Sequence, residues 1–397
     1  MKDGWKYKKL GDLFPYIKNG ANIKQSREAK GYPITRIETL SGGVFNRDRL
    51  GYANIYEIDK YENYVLQSHD LLLSHINSKI YIGRTVEYKA EEGETIIHGM
   101  NLLRLKSNQK VINSSFFAYY ALSTKFKDDI AKIRKDAVNQ SSVAISDLKC
   151  IRLPLPPLPE QQSIVAELDK INEIIDLKKT QLKDLDLLAQ SIFYNMFGDP
   201  IENPKGWEVK KLGEIASFKN GLNFAKNENG VIYKFLGVSD FKLNNEISSK
   251  ELSTISLDSE LNKDYLLKDN DIVFVRSNGS KELVGRCVLV KVNEETTYSG
   301  FCIRCRIIYD EIIPTYLLTV LKSNGMRAYL TQSGQGCNIS NLNQKILAKA
   351  DIPLPPLSLQ QSFAEKIQAI ESQKSAIKQS LTEVETLLAS RMDYYFN

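Results

Sequence analysis

Two short polar segments carry the side chains best suited to binding. Ser74–Lys79 reads Ser-His-Ile-Asn-Ser-Lys, Val275–Lys281 reads Val-Arg-Ser-Asn-Gly-Ser-Lys, and each precedes an Ile/Val-Gly-Arg tripeptide. Asn, Ser, Arg and Lys hydrogen-bond base edges and phosphates. Any one of them alone is more simply a solvated surface residue, so the prediction depends on clustering and repetition. The candidate nucleic-acid-binding residues are Lys18, Asn19, Arg36, Arg47, Arg49, His75, Asn77, Ser78, Lys79, Arg84, Asn139, Lys219, Asn220, Arg276, Asn278, Ser280, Lys281, Arg286 and Asn338.

No arrangement typical of catalysis occurs in the sequence. The phosphate loop G-x-x-x-x-G-K-[ST], the cofactor turn G-x-G-x-x-G and the nucleophile elbow G-x-S-x-G are absent. So is the Asn/Asp-Pro-Pro-aromatic motif of enzymes that methylate exocyclic amines. The three histidines all lie in the first half, whereas a duplicated catalytic site would place one in each half. We therefore predict no catalytic residues and a chain that is not an enzyme by itself.

The five cysteines do not form the pattern of a metal site. Cys302 and Cys305 have the spacing of zinc ligands, but no second pair of cysteines or nearby pair of histidines completes a structural zinc site. An odd number of cysteines is also not a disulfide framework. We expect no metal and interpret Cys302 and Cys305 as small residues of a strand.

Positive charge is concentrated in the first half. Residues 1–159 contain 25 basic and 17 acidic residues, and residues 198–358 contain 20 and 19. The segments 160–197 and 359–396 have net charges of −3 and −1. This distribution suits a polyanionic partner for the first half and only weakly for the second. No apolar run approaches the ~18 residues of a membrane span, and no signal peptide is visible, so we expect a cytoplasmic protein with no membrane partner.

The sequence repeats itself at offsets of 199 to 202 residues. Leu-Pro-Leu-Pro-Pro-Leu at 153–158 recurs as Ile-Pro-Leu-Pro-Pro-Leu at 352–357, and each copy is followed after two residues by Gln-Gln-Ser. Such self-similarity indicates two homologous halves. The other matched landmarks are Trp5–Gly11 with Trp207–Gly213, Lys18–Gly20 with Lys219–Gly221, Asp70–Ser74 with Asp271–Val275, Ile82–Arg84 with Val284–Arg286, and Asn139 and Ser141 with Asn338 and Ser340.

Each proline-rich motif leads into a long segment without proline or glycine after its first turn. Proline disfavours helix in the residue before it, so the motif predicts an extended strut. Ser358 followed by Gln361 predicts a capping box at the second helix. Alternating steps of four and three residues between apolar positions are typical of a coiled-coil seam. The predicted seam residues are Ile164, Leu168, Ile171, Ile175, Leu182 and Leu185 in the first helix and Phe363, Ile367, Ile370, Ile377, Leu381 and Val384 in the second.

The predicted fold class is α+β, with two similar α/β domains joined by two long helices. Short apolar runs such as Ile272–Val275 predict strands, and the segments 115–135 and 314–330 predict helices, with Asn324-Gly325 interrupting the second. Antiparallel packing of the long helices as a coiled coil would relate the domains by a pseudo-twofold axis. The predicted boundaries are 1–152 and 200–351 for the two domains, and 153–199 and 352–397 for the two struts with their spacer helices.

Over essentially its full length the chain resembles the specificity subunit of type I restriction-modification enzymes. The motifs that carry the resemblance are W-x-x-K-K-L-G-[DE], the D-[LI]-[LV] run before a polar loop and [IV]-G-R, and LPLPPL-x-x-QQ, each present twice. One departure is Leu359, which stands where the first copy has Glu160. The resemblance implies two target-recognition domains, each reading one half of a bipartite double-stranded DNA sequence.

The resemblance also implies partners. The paired helices would hold the domains apart and bind two methyltransferase (modification) subunits, which carry S-adenosylmethionine and methylate adenine. The chain itself would bind no cofactor, and restriction subunits that translocate DNA would join the complex. Two alternatives stay open. One is a two-headed coiled-coil scaffold whose domains bind proteins, which the nearly neutral second domain favours slightly. The other is the specificity subunit of a modification-only system.

Overall fold

The computed structural model describes residues 4–26, 28–138, 140–223, 230–241, 245–280, 282–332 and 342–397. Among the residues singled out above, Asn139, Lys281, Asn338 and Ser340 lie outside this part. The chain forms two compact units, which do not follow the linear order of the sequence. Unit 1 contains Met1–Lys179 and Gln379–Asn397, and unit 2 contains Thr180–Lys378.

The described elements of the first half end with a long helix. Its strands are β1 (Lys6–Lys9), β2 (Tyr16–Asn19), β3 (Leu71–Ser74), β4 (Ile76–Asn77), β5 (Thr85–Glu87), β6 (Leu102–Lys106), β7 (Lys135–Asp136), β8 (Ser141–Ser142) and β9 (Arg152–Leu155). Its helices are α1 (Leu10–Leu13), α2 (Ser114–Tyr120), α3 (Thr124–Ile133), α4 (Ile145–Cys150) and α5 (Leu158–Phe197), with 3-10 helices at Ile37–Gly43, Arg47–Arg49 and Asp59–Tyr64.

The second half repeats this order with additional strands. Its strands are β10 (Glu208–Lys211), β11 (Ala216–Asn220), β12 (Val231–Leu236), β13 (Glu246–Ser248), β14 (Ser253–Leu257), β15 (Ile272–Val275), β16 (Cys287–Lys291), β17 (Thr296–Tyr298), β18 (Cys302–Ile307) and β19 (Asp351–Leu354). Its helices are α6 (Leu212–Ile215), α7 (Pro314–Lys322), α8 (Asn324–Gln332), α9 (Gln344–Ala348) and α10 (Leu357–Phe396), with 3-10 helices at Val238–Asp240, Ser249–Glu251 and Lys263–Tyr265.

The central sheets of the two units have the same strand order. Unit 1 contains the antiparallel sheet β2-β6-β3-β5, and unit 2 contains β11-β18-β15-β16, extended by β13. Strands β3 and β15 are buried along their whole length, which explains their continuous apolar sequences. Smaller three-stranded sheets are β4-β8-β7 in unit 1 and β14-β12-β17 in unit 2. The predicted duplication is confirmed, and in the described part of the chain the central sheet of unit 2 has one additional strand, β13.

Two helices cover one face of each central sheet. The predicted break at Asn324-Gly325 is confirmed, because α7 ends at Lys322 and α8 begins at Asn324. The segment 115–135 is helical as predicted, but it forms two separate helices, α2 and α3. The physical reason is Ser123, whose hydroxyl accepts a hydrogen bond from the Phe126 amide and starts a new helix.

The proline-rich motifs form strands, which confirms the extended struts. Strand β9 pairs antiparallel with β1, placing Pro154 opposite Tyr7. Strand β19 pairs with β10 in the same way, placing Pro353 opposite Val209. The two most recognisable landmarks of each repeat, the tryptophan-led opening and the proline-rich motif, therefore contact each other.

A buried glutamine fastens each strut to its domain. The Gln161 amide donates to the carbonyls of Val111 and Pro156 (3.0 and 2.9 Å), and its Oε1 accepts from the Asn113 amide (2.9 Å). Gln360 makes the same three contacts, with Glu311, Pro355 and Ile313. Both glutamines are fully buried. These hydrogen bonds satisfy one backbone group of the strut and two of the domain, and they thereby hold the strut against the domain.

The start of each long helix is set by proline rather than by serine. The Pro157 carbonyl accepts the first helical hydrogen bond of α5, from the Gln161 amide (3.1 Å), and the Pro356 carbonyl does the same in α10. The predicted capping box is wrong, because α10 begins at Leu357 and Ser358 is its second residue. A cap must precede the helix, and Pro356 occupies that position.

The long helices pack antiparallel within each unit. In unit 1, Glu167 near the start of α5 pairs with Arg391 near the end of α10, and its carboxylate also accepts from Tyr395 (2.6 Å). In unit 2, Phe193 of α5 packs on Phe363 of α10. None of the described helices combines the length and apolar composition needed to cross a membrane.

None of the predicted seam residues is fully exposed to solvent. The buried positions are Ile164, Leu168, Ile171, Ile175, Phe363, Ile367 and Ile370, and the half-buried positions are Leu182, Leu185, Ile377, Leu381 and Val384. One seam position holds a buried lysine. The Lys374 ammonium lies 2.7 Å from Asp186 and 2.9 Å from Glu371. Burial opposes its charge, but hydrogen bonds to these carboxylates outweigh burial and raise the pKa of Lys374.

Candidate nucleic-acid interface

One edge of the central sheet in unit 1 collects the loops that contain most candidate residues. Asn19 at the end of β2 lies opposite Leu103, and Ser74 at the end of β3 lies opposite Leu102. Because neighbouring strands run antiparallel, the ends of β2 and β3 meet the starts of β5 and β6 at one edge. We define the loop edge of unit 1 as residues 18–20, 74–84 and 99–101.

Unit 2 has an equivalent edge. Asn220 at the end of β11 lies opposite Ile303, and Val275 at the end of β15 lies opposite Cys302. Residues 219–221, 276–286 and 300–301, where described, form the loop edge of unit 2. The repeated Lys-Asn-Gly and Ile/Val-Gly-Arg landmarks therefore converge in each unit, although they are more than 60 residues apart in the sequence.

The candidates at the loop edge of unit 1 are largely accessible. Asn19 Oδ1 accepts hydrogen bonds from the amides of Gly20 and Asn101, both at 3.0 Å, which ties two loops together. The Arg84 guanidinium lies 4.6 Å from the ring centre of Tyr81 and donates to the Leu40 carbonyl. Of the candidates in unit 1, Lys18, Asn19, Arg49, Ser78 and Lys79 are exposed, and Arg36, Asn77 and Arg84 are half-buried.

Two candidates in unit 1 form ion pairs at the surface. Arg36 lies 3.4 Å from Glu38, and Lys79 lies 3.6 Å from Asp136.

Two further candidates have partners or surroundings inside the protein. Arg47 donates two hydrogen bonds to the Glu94 carboxylate, at 2.9 and 2.8 Å. The hydrogen bond to Glu94 is the main cause that raises the pKa of Arg47. His75 is 7% exposed, and burial lowers the pKa of its imidazole to about 4, so the ring is neutral at pH 7. Arg47 and His75 therefore support the loops rather than present charge to a ligand.

The candidates of unit 2 are more enclosed. The Lys219 ammonium lies 3.1 Å from Asp264 and 4.1 Å from the ring centre of Tyr265. Arg286 donates to the Glu282 carbonyl. Arg276, Asn278 and Asn220 are half-buried, and Ser280 is exposed. Among the described candidates, no Lys or Arg of unit 2 is exposed, whereas Lys18, Arg49 and Lys79 of unit 1 are. This difference agrees with the nearly neutral charge of the second half.

An ion pair lies at the opposite end of strands β3 and β15 from each loop edge. Asp70, which precedes β3, approaches Arg104 of β6 to 2.6 Å, and Asp271, which precedes β15, approaches Arg306 of β18 to 2.7 Å. Asp70 also accepts from the Gln67 amide and Asp271 from the Lys268 amide, both at 2.7 Å. The repeated aspartate is therefore structural, because it ties the turn before the strand to the neighbouring strand.

The chain matches the family described as the type I restriction modification DNA specificity domain, twice, over residues 2–187 and 204–386. These matches cover most of the chain. The protein belongs to the type I restriction-modification specificity-subunit family.

Individual relatives agree with this assignment. The putative type I restriction enzyme MjaX specificity subunit of Methanocaldococcus jannaschii is 29% identical, over 94% of this chain and 88% of the relative. The StySPI specificity subunit of Salmonella potsdam is 25% identical, over 90% and 80%. A solved specificity subunit from M. genitalium has a TM-score of 0.55 at 15% identity, over 98% and 95% of the two chains. A chain from a study of type I R-M assembly and conformational transition has a TM-score of 0.59 at 17% identity.

Sequence reasoning missed several residues at the loop edges of this specificity-subunit fold. Ile80 (78% exposed) and Tyr81 in unit 1, and Phe301 (52% exposed) in unit 2, present apolar surface among polar candidates. Their signal in the sequence was an apolar residue inside or next to a polar loop. Arg104 and Arg306 were missed because only the fold shows which strand faces Asp70 and Asp271.

Three of the described cysteines of this specificity-subunit chain lie in the central sheet of unit 2, and Cys150 is exposed at the end of α4. Cys302 and Cys305 are buried in β18, as the strand interpretation predicted, and Cys287 is buried in β16. Burial raises the pKa of Cys287 and Cys302 to about 12, so these thiols stay protonated. In the described part of the chain, no three His, Cys, Asp or Glu side chains come together as metal ligands do.

Proposed function

We propose that this chain is the sequence-specific DNA-binding subunit of a type I restriction-modification complex. In this proposal each unit reads one half of a bipartite, gapped target in double-stranded DNA. The observation that carries it is the convergence of repeated polar residues at the same edge of two equivalent sheets, in a chain of this family. Arg, Asn, Ser and Lys can contact both base edges and phosphates.

Divergence between the loop edges supports different half-sites. The segments that directly follow the matched strands, His-Ile-Asn at 75–77 of unit 1 and Arg-Ser-Asn at 276–278 of unit 2, occupy equivalent places but differ in two of their three residues. Architecture is repeated in the struts and sheets, whereas the side chains of the loop edges are repeated only in part. Two readers of one sequence would need the same side chains at both edges.

The long helices suit the roles of spacer and docking surface. Each has 40 residues, a length of about 60 Å at ~1.5 Å per residue. That length is ample for holding two readers at least one DNA turn, ~34–36 Å, apart. Their net negative charge disfavours DNA and favours a protein partner. We propose two methyltransferase subunits as this partner, which would supply S-adenosylmethionine and the catalytic residues, with restriction subunits joining them in the cytoplasm.

The proposal is tested by the salt dependence of duplex binding. Affinity of the full chain for a duplex containing its target should fall steeply between 50 and 200 mM salt, because phosphate contacts release counterions. Lys79→Ala should lower the slope of log K against log[salt] by about 1. Lys6→Ala, at an exposed lysine of β1 outside the loop edge, is the control and should leave the slope unchanged.

The same experiment separates the alternatives. A two-headed protein-binding scaffold would show no salt-dependent duplex binding and no effect of Lys79→Ala, and that result would contradict the proposal. A modification-only system would bind DNA in the same way. It would differ in lacking restriction of unmodified DNA when the complete gene cluster is expressed.

A further inference from the structure

Unit 2 contains a cavity of about 200 Å³ beside its spacer helices. Its walls come from α5, α7 and α10 and from the segment at Asn245. The apolar part is formed by Ala189, Phe193 and Ile367, and the polar part includes Asp186, Gln190 and Ser323. Because Asp186 is 65% exposed at its side chain, the cavity opens to solvent and a small molecule can enter.

The corresponding place in unit 1 is filled by the protein itself. Thr319, which lines the cavity, corresponds to Tyr119, and Ala189 corresponds to Leu388. Tyr119 and Leu388 both pack against the core of unit 1. The Tyr119 hydroxyl donates to Asp169 (2.6 Å) and accepts from Asn172 (3.0 Å). Two small residues in unit 2 thus leave open a space that a phenol ring and an isobutyl group occupy in unit 1.

The charges around the cavity are balanced by a hydrogen-bonded chain. Lys322 donates to Asn245 (2.6 Å), and Asn245 donates to Glu371 (2.9 Å). Glu371 and Asp186 are both paired with Lys374. Two cations and two anions cancel, so a charged ligand would disturb a network that is already neutral.

The geometry points to a binding site for a neutral aromatic ring that carries a hydroxyl group. A cavity of ~150 Å³ is known to hold a benzene ring, so this one has room for the ring and its substituent. The ring would lie against Phe193 and Ile367, and the hydroxyl would reach Asp186 or Gln190. The source could be a free phenolic compound or the tyrosine side chain of a partner. Occupancy would brace the spacer helices against α7.

The test is ¹⁹F NMR of 4-fluorophenol with the full-length chain. Saturable broadening of the fluorine signal is expected for the wild type, with binding at least tenfold weaker in Thr319→Tyr. Thr315→Tyr, one turn earlier on α7 and outside the cavity, is the matched control and should bind like the wild type. Ala189→Leu is a second variant that fills the cavity and should weaken binding in the same way. If a folding defect spoils one of the two filling variants, the other still tests the site.

Two further probes fix the ligand class and its source. 4-Fluorobenzoate should bind at least tenfold more weakly than 4-fluorophenol because its charge is uncompensated. The amide of N-acetyl-3-fluorotyrosine mimics the tyrosine side chain of a partner. If it binds, a tyrosine side chain fits the cavity; if only 4-fluorophenol binds, the ligand is a free phenol. The inference is overturned if no probe binds saturably, if binding is equal in Thr319→Tyr and Thr315→Tyr, or if benzoate binds best.

Discussion

At the scale of single residues, the repeated glutamines explain why the motif after the proline run is so similar in the two halves. Gln161 and Gln360 each satisfy three backbone groups, one in the proline-rich strut and two in the loop before α2 or α7. The neighbouring Gln162 and Gln361 are exposed. In the pair of glutamines, therefore, the first has a structural role that the second lacks.

Gln161→Ala should destabilise unit 1 by about 2–3 kcal/mol, because buried backbone groups lose their only partners. The chain has two tryptophans, Trp5 in unit 1 and Trp207 in unit 2, so fluorescence can report each unit separately. In a Trp207→Phe background, urea unfolding followed at Trp5 measures the effect. Gln162→Ala is the control, expected within about 0.5 kcal/mol of the parent. Equal effects of the two substitutions would contradict the structural role of Gln161.

Burial of two histidines in unit 1 gives its stability a pH dependence. Burial lowers the pKa of His75 to about 4 and of His98 to about 3, against an ordinary value of 6.5. Below pH 6.5 the unfolded chain therefore takes up protons that the folded unit does not, and stability falls as the pH drops. Urea unfolding of unit 1, followed by Trp5 fluorescence in the Trp207→Phe background, should have its midpoint at a lower urea concentration at pH 5 than at pH 7.

The variants locate this effect. His75→Asn combined with His98→Asn should shrink the difference between pH 5 and pH 7, whereas Gln162→Ala, at an exposed residue that does not titrate, should leave it unchanged. A difference of the same size in all three proteins would show that other groups cause the pH dependence.

At the scale of elements, the ends of the long helices are parts of the domain cores. Phe396 near the end of α10 is 2% exposed and packs on Phe116 and Tyr120 of unit 1. Phe197 at the end of α5 packs on Tyr316 of unit 2 in the corresponding way. Each compact unit is thus completed by the end of a helix that begins at the other unit's strut.

Phe396→Ala should destabilise unit 1 by about 3 kcal/mol or more, as expected for removing a buried aromatic ring. Trp5 fluorescence in the Trp207→Phe background should show the loss, while Trp207 fluorescence in a Trp5→Phe background should show a smaller one. Leu387→Ala, at an exposed position of α10, is the control. If Phe396→Ala behaves like Leu387→Ala, the helix end is not part of the core.

The repeat, the struts and the long helices could be predicted from the sequence because their signals are local. Proline and a 3-4 apolar period act over a few residues. The pairing of β1 with β9 and of Asp70 with Arg104 could not be predicted, since the partners are 34 or more residues apart and either could pair elsewhere. The binding site stays a prediction. Residue type singled out Lys79 and Arg276, which the fold places in the loop edges, but only the fold showed that Arg47 is paired with Glu94 and that His75 is buried.

At the scale of the whole molecule, the features that the two halves share differ in role from the features in which they diverge. Struts, glutamines, sheet order and helix packing are the same in both halves, and these features form the framework. The loop edges differ, and unit 2 adds β13 and the sheet β14-β12-β17. The two-part DNA target that we propose would use this combination, because its two half-sites differ in sequence while their spacing is fixed.

Mapping of methylated bases in a genome tests this account most directly. The chain is expressed with its methyltransferase subunit in cells without other modification systems, and methylated adenines are located by sequencing. The account predicts one motif with two specific parts separated by a gap of fixed length. Exchange of residues 1–150 for those of another family member should change one part and leave the other part intact. A single continuous motif, or a change in both parts after the exchange, would contradict it.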